Sequence, residues 1–167
     1  MIYYTNFKSP IGTLGLVRDD KHLLRILLPN EGNSKQVLRE KYSNEDIVEN
    51  ISGFEDVINQ LTEYFDGKRT QFTIETKMEI ASFYKKALTE VTKVPYGKTT
   101  SYGQIAQQIN SPKAARAVGT ANARNPFPIV IPCHRIITSN GKLGGYAGGL
   151  KMKRYLLDLE SKNKNML

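Results

Sequence analysis

The chain has 167 residues, a formal net charge of +8 and 40% hydrophobic residues. This size and composition fit one or two small globular domains and argue against a disordered or membrane-embedded chain, because no apolar run approaches a bilayer span. A single cysteine excludes an internal disulfide, and with only two histidines it argues against a structural zinc site.

Residues 1–4 lack the basic-then-apolar layout of a secretion signal, so a cytoplasmic location is expected. The charge is unevenly spread. Residues 1–77 carry ten basic and twelve acidic side chains, and residues 78–167 carry fourteen and four. No acid lies between Glu90 and Asp158. A stretch this basic attracts a polyanion.

The first segment reads as an antiparallel meander of strands at residues 2–7, 13–17 and 22–28, separated by turn residues. Ile51, Phe54, Ile58, Leu61 and Phe65 then recur at helical spacing, and Asp66-Gly67 ends that helix. No catalytic cluster appears here, and His22 beside an apolar strand reads as structural. This gives a scaffold domain over residues 1–76.

A linker at residues 71–77 leads to a second domain over residues 77–160. Ile80, Phe83, Tyr84, Ala87, Leu88 and Val91 mark a helix. Ser101 with Gln104 forms a capping box for the next one. Asn110-Ser111-Pro112 breaks that helix, and Ser111 caps another over residues 113–124, with Pro112 at its first position. This last helix carries Lys113, Arg116 and Arg124 among small residues, including Ala115, Ala117 and Gly119. The layout is that of a helix-turn-helix, although an alanine-packed hairpin would share it. Residues 161–167 read as a mobile tail.

Cys133 lies in Ile131-Pro132-Cys133-His134-Arg135-Ile136. A lone cysteine in an apolar run is usually a small buried hydrophobe. Here Pro132 makes a bend, and the adjacent His134 and Arg135 favour a thiolate. Gly144-Gly145-Tyr146-Ala147-Gly148-Gly149 then allows close backbone approach and offers a flat ring to a base. A helix-turn-helix regulator with a structural cysteine, or a thiol hydrolase, would also use some of these features.

The Pro132-Cys133-His134-Arg135 motif follows Asn125-Pro126-Phe127-Pro128. Together they resemble the signature of the O6-alkylguanine-DNA alkyltransferases, or methylated-DNA–protein-cysteine methyltransferases. The likeness runs over residues 94–160, and Ser9-Pro10-Ile11-Gly12-Thr13-Leu14 is also typical of that family.

The resemblance implies an α/β (α+β) fold: an N-terminal antiparallel sheet with helices, ribonuclease-H-like, then a mostly helical domain. It implies irreversible transfer of an alkyl group from O6-alkylguanine in double-stranded DNA to Cys133, one lesion per molecule, and leaves O4-alkylthymine open. His134 would take the thiol proton through a water. Glu160 would orient His134, Asn125 would pin the bend, and the Tyr102 hydroxyl would stabilise the departing purine.

Arg116 would enter the gap left by the everted base, with its helix in the minor groove. Ala115, Ala117, Gly119, Ser101, Lys113, Arg124 and Arg135 would contact the DNA. Tyr146, Ala147, Gly148, Ile136 and Pro128 would form the base pocket. No cofactor is needed. Some relatives bind zinc through N-terminal cysteines that this chain lacks, so no metal is expected. The expected form is a monomer without a membrane or an obligate protein partner.

Overall fold

The computed structural model describes residues 1–165. They form two compact units, Met1–Met78 and a second from Glu79 onward.

In the first unit, strands β1 (Ile2–Ser9), β2 (Gly12–Arg18) and β3 (Leu23–Leu27) form the expected antiparallel meander. At the first turn, Gly12 takes φ +114°, and a Cβ there would lie 2.7 Å from Pro29. Tyr4 and Val17 are register partners. With Ile2 and Leu27 they form an apolar cluster closed by Leu38. Leu16 and Ile26, also partners, face the other way and are equally buried. A strand apolar on both faces is covered on both.

The meander is not the whole sheet. Helix α1 (Ser34–Lys41) carries the chain across to a short fourth strand, β4 (Ile47–Glu49), which runs parallel to β1. The sheet order is therefore β3-β2-β1-β4. A parallel neighbour requires such a crossover. Asn33 caps α1 by accepting a hydrogen bond from the Gln36 amide at 3.3 Å.

Helix α2 (Glu55–Phe65) starts later than the apolar spacing predicts. Ile51 is 65% exposed and lies outside it. The Asn50 side chain accepts from the Ser52 amide, and Gly53 at φ +86° turns the chain just before the helix. Phe54, at the cap position, is buried with Val57, Leu61, Tyr64 and Phe65.

The second unit packs α3 (Ser82–Val91), α4 (Tyr102–Gln108) and α5 (Ala115–Ala123) against one another. Ser101 caps α4 through a 3.1 Å bond from the Gln104 amide. The Gln104 side chain meets Thr100 instead of completing a capping box. Helix α5 begins at Ala115, two residues later than expected, because residues 111–114 close their own turn through the Ala114 amide and the Ser111 carbonyl.

Two-residue strands β5 (Thr100–Ser101) and β6 (Ile136–Ile137) pair in parallel. Helix α6 (Leu150–Asn163) closes the unit. It runs into the expected tail: Asn163 is buried, continuing the stripe of Lys153, Leu156 and Glu160 at three- and four-residue steps. The last two residues of the expected tail lie outside the described part. No described helix is long and apolar enough to cross a membrane.

Candidate active site

The stretch between α5 and β6 is shaped by hydrogen bonds around Cys133. The Asn125 amide group donates to the Ile131 carbonyl at 2.9 Å and to Cys133 Sγ at 3.2 Å. Its oxygen accepts from the Phe127 amide at 2.9 Å. Pro132 at φ −82°, ψ 60° forms an inverse γ-turn, closed by the Cys133 amide on the Ile131 carbonyl. Residues Cys133–Arg135 then make one 3-10 turn. Upstream, Ile129 sits at φ +75°, a left-handed conformation costly for a β-branched residue. Asn125 and the bond from the Ile131 amide to the Phe127 carbonyl hold this conformation in place.

Cys133 is 4% exposed. Its sulfur lies in the wall of a cavity of about 580 Å³. Tyr102, Arg116, Gly119, Asn122 and Tyr146 line the same cavity, as do Ala115 and Ala147. The Tyr102 ring lies between α5 and the glycine loop, 3.9 Å from where a Cβ on Gly119 would stand. A Cβ on Gly144 would come within 2.9 Å of its hydroxyl. Burial raises the Tyr102 pKa and raises that of Tyr146 well above the ordinary phenol range. Both hydroxyls therefore stay protonated at neutral pH and can donate.

Behind the cysteine, Glu160 is 1% exposed and accepts from three sides. His134 Nε2 is 2.8 Å from Oε1. The Arg135 guanidinium grips the carboxylate with Nη2 at 2.8 Å and Nε at 2.9 Å, and the Gly97 amide reaches Oε2 at 3.3 Å. Burial alone would raise the Glu160 pKa; the bonds from His134 and Arg135 outweigh it and hold the pKa at about 2. An ionised carboxylate only accepts, so the His134 proton sits on Nε2 and the lone pair on Nδ1. Nδ1 makes no hydrogen bond within the protein. Burial, outweighing Glu160, lowers the His134 pKa, so the ring is neutral at pH 7.

The expected thiolate-favouring role of the neighbouring cations needs correction. His134 is neutral and Arg135 is committed to Glu160. Burial raises the Cys133 pKa, opposed by the Asn125 hydrogen bond and the charge of Lys153. The resting sulfur is a protonated thiol. Arg135 is corrected in another respect. It is 5% exposed, and its Nη1 donates to the Val94 carbonyl at 2.7 Å, so it is a buried ion-pair partner and has no free surface for phosphate.

Arg116, Lys113 and Arg124 are exposed, as DNA contacts require, and Arg124 lies over the Tyr84 ring at 5.2 Å. Ser101 is occupied with its cap. Ala117 lies on α5 but is not among the cavity-lining residues. Nor are Pro128, Ile136 and Gly148. Pro128 is buried in the bend, and Gly148 backs onto Met152. Ile136 has its amide on the Cys133 carbonyl, and its own carbonyl accepts from Lys153 at 2.6 Å, which leaves that oxygen a second lone pair.

Sequence reasoning missed Lys153. Its fully buried ammonium donates to the carbonyls of Ile136, Leu143 and Gly145, tying β6 to the glycine loop. Burial lowers its pKa to about 8. The available signal was the spacing of Lys153, Leu156 and Glu160 on one helical face. Asn122, Thr138 and Ser139 in the cavity wall were missed too. No described group of three or more His, Cys, Asp or Glu side chains is placed to hold a metal ion.

These groups define a protein whose chemistry centres on one buried thiol backed by a histidine–carboxylate pair. Two domain families match in succession: the 6-O-methylguanine DNA methyltransferase ribonuclease-like domain over residues 2–78, and the DNA binding domain of the same enzymes over residues 82–162. The chain belongs to the 6-O-methylguanine DNA methyltransferase family.

The methylated-DNA–protein-cysteine methyltransferase of Methanosarcina mazei is 43% identical over 162 residues, covering 97% of this chain and 99% of that protein. The crystal structure of Mycobacterium tuberculosis O6-methylguanine methyltransferase superposes with a TM-score of 0.86 at 37% identity, over 98% of this chain and 94% of that one. The M. tuberculosis OGT structure in complex with DNA gives 0.85 at 37% identity, over 96% and 94%.

Proposed function

We propose that this protein repairs double-stranded DNA by moving the alkyl group of O6-alkylguanine onto Cys133. The observation that carries the reading is the position of the chain's only thiol, in the wall of a cavity large enough for a base. A buried sulfur cannot reach an alkyl group stacked within a duplex, so the nucleotide must leave the helix. Arg116, exposed at the cavity, takes the vacated place as α5 lies in the minor groove. Helices α4 and α5 act as a helix-turn-helix, with Lys113 and Arg124 on the phosphates. Tyr146 covers the base, and the Ala147 backbone meets its edge.

The chemistry follows from the protonation states. His134 Nδ1 draws the thiol proton through a water, and the resulting imidazolium is charge-balanced by Glu160. The sulfur attacks the alkyl carbon, a carbon–sulfur bond forms and the carbon–O6 bond breaks. Its electron pair stays on guanine, where the Tyr102 hydroxyl offsets the developing charge by donating to the ring. No cofactor enters this balance. The thioether is not reversed by water or by thiol exchange, which acts on disulfides, so each molecule acts once. The protein acts as a monomer in the cytoplasm, with damaged DNA as its only required partner.

Incubation with a duplex containing O6-methylguanine should add one methyl group to the intact mass, mapped to Cys133 and saturating at one per protein. Unchanged mass with tight lesion binding would make the chain a sensor and overturn the reading. Arg116→Ala should slow repair of a duplex at least about tenfold while leaving reaction with a free alkylguanine base within about twofold. Equal losses on both substrates would remove the role assigned to Arg116.

A further inference from the structure

The cavity contains a polar group that the reaction above does not use. Asn122 is 8% exposed and lines the cavity with Cys133, yet neither Nδ2 nor Oδ1 makes a hydrogen bond within the protein. A buried amide with both ends unpaired is costly, and native structures seldom keep one without a use. Asparagine is also a poor helix former, and its usual compensation is a local bond to backbone, which this one lacks. Asn122 thus breaks a local rule twice, as residues at functional sites do.

Its placement limits what it can meet. Ala115, Gly119 and Asn122 follow at four- and three-residue steps and all line the cavity, so they share one face of α5. Asn122 is three residues before Asn125, which bonds the sulfur. The Tyr146 hydroxyl, in the same wall, is buried and equally without a partner. Two aromatic rings and small residues make the rest of the wall suited to a flat ligand. A planar amide offers a donor beside an acceptor, the pattern that matches the edge of a heteroaromatic base. A phosphate could use only the donor.

We propose that Asn122 is a specificity-determining residue that hydrogen-bonds an edge of the everted base and fixes its orientation before transfer. The proposal rests on the reaction proposed above. In a pocket walled mainly by aromatic and small side chains, a few placed polar groups set orientation. A base unable to pair with the amide leaves it unsatisfied, which gives strong discrimination.

The test is a mutant cycle on single-turnover rates. Wild type and Asn122→Leu are compared on duplexes carrying O6-methylguanine, its analogue without the 2-amino group, and its 3-deaza and 7-deaza analogues. Asn122→Leu should slow transfer from O6-methylguanine at least about tenfold. For the analogue lacking the partner atom, wild type should slow and the variant should lose nothing more. The melting temperature should be unchanged or higher, because two unpaired buried groups are gone. Should the leucine variant fail to fold, Asn122→Asp keeps the shape, loses the donor and enters the same cycle.

A rate within twofold of wild type, or additive losses on all three analogues, overturns the proposal. Failure of wild type to alkylate Cys133 would remove the reaction itself, whereas a reactive wild type with an indifferent Asn122→Leu removes only the role of the amide.

Discussion

Cys133→Ala should reduce alkyl transfer to below detection while leaving affinity for duplex DNA within about threefold. The thiol supplies the bonding electron pair, and no other cysteine exists to replace it. On the proposed reading, affinity resides in the exposed cations of the second unit, which the substitution does not touch. Cys133→Ser should be equally inactive although it keeps the shape, because a hydroxyl is a far weaker acid and a poorer nucleophile toward an unactivated alkyl carbon. Rate constants from single-turnover assays and affinities from fluorescence anisotropy separate the two effects. Lesion removal by the alanine variant would exclude Cys133 as the acceptor.

Glu160→Gln should lower stability by about 3–5 kcal/mol, the range for removing one partner of a buried ion pair. Arg135 would remain buried without a counter-charge, and His134 Nε2 would lose its ionised acceptor. The loss should appear as a lower urea midpoint with an unchanged slope. Transfer should also slow, because a histidine no longer balanced by a carboxylate is a weaker base.

The same carboxylate gives a pH signature. Glu160 titrates near 4.3 in an unfolded chain and at about 2 when folded. Its stabilisation is fully present above about pH 4.5 and disappears as the pH falls toward 2. Denaturation midpoints of wild type should fall through that window more steeply than those of the glutamine variant. Equal slopes would mean that Glu160 is not the depressed carboxyl.

Local patterns in the sequence revealed much of this molecule. Strands β1 to β3 were legible from alternation and turn residues, and α2 and α3 from helical spacing. Strand β4 was not, because three half-exposed residues carry no period and their pairing depends on a crossover. Ile51 fitted the α2 stripe by spacing, yet Asn50 and Gly53 turn the chain before the helix can include it.

The cysteine and its neighbours were legible as a motif, whereas their electrostatics were not. His134 and Arg135 look like two cations beside a thiol. The fold commits Arg135 to Glu160, 25 residues away in sequence, and burial keeps His134 neutral against the pull of the same carboxylate. Lys153 and Asn122 carried no motif. Each is a polar side chain on a helix, and only burial distinguishes it from a solvated one.

The resting state of Cys133 has a consequence for the lifetime of the protein. A molecule that acts once is spent by any electrophile its sulfur meets, including oxidants and soluble alkylating agents. An exposed thiolate would be oxidised or capped before a lesion arrived. With 4% exposure and a raised pKa, Cys133 is shielded from such encounters both sterically and chemically. The burial that makes deprotonation difficult also keeps each copy in reserve, and the number of lesions a cell can reverse at once is the number of unspent copies it holds.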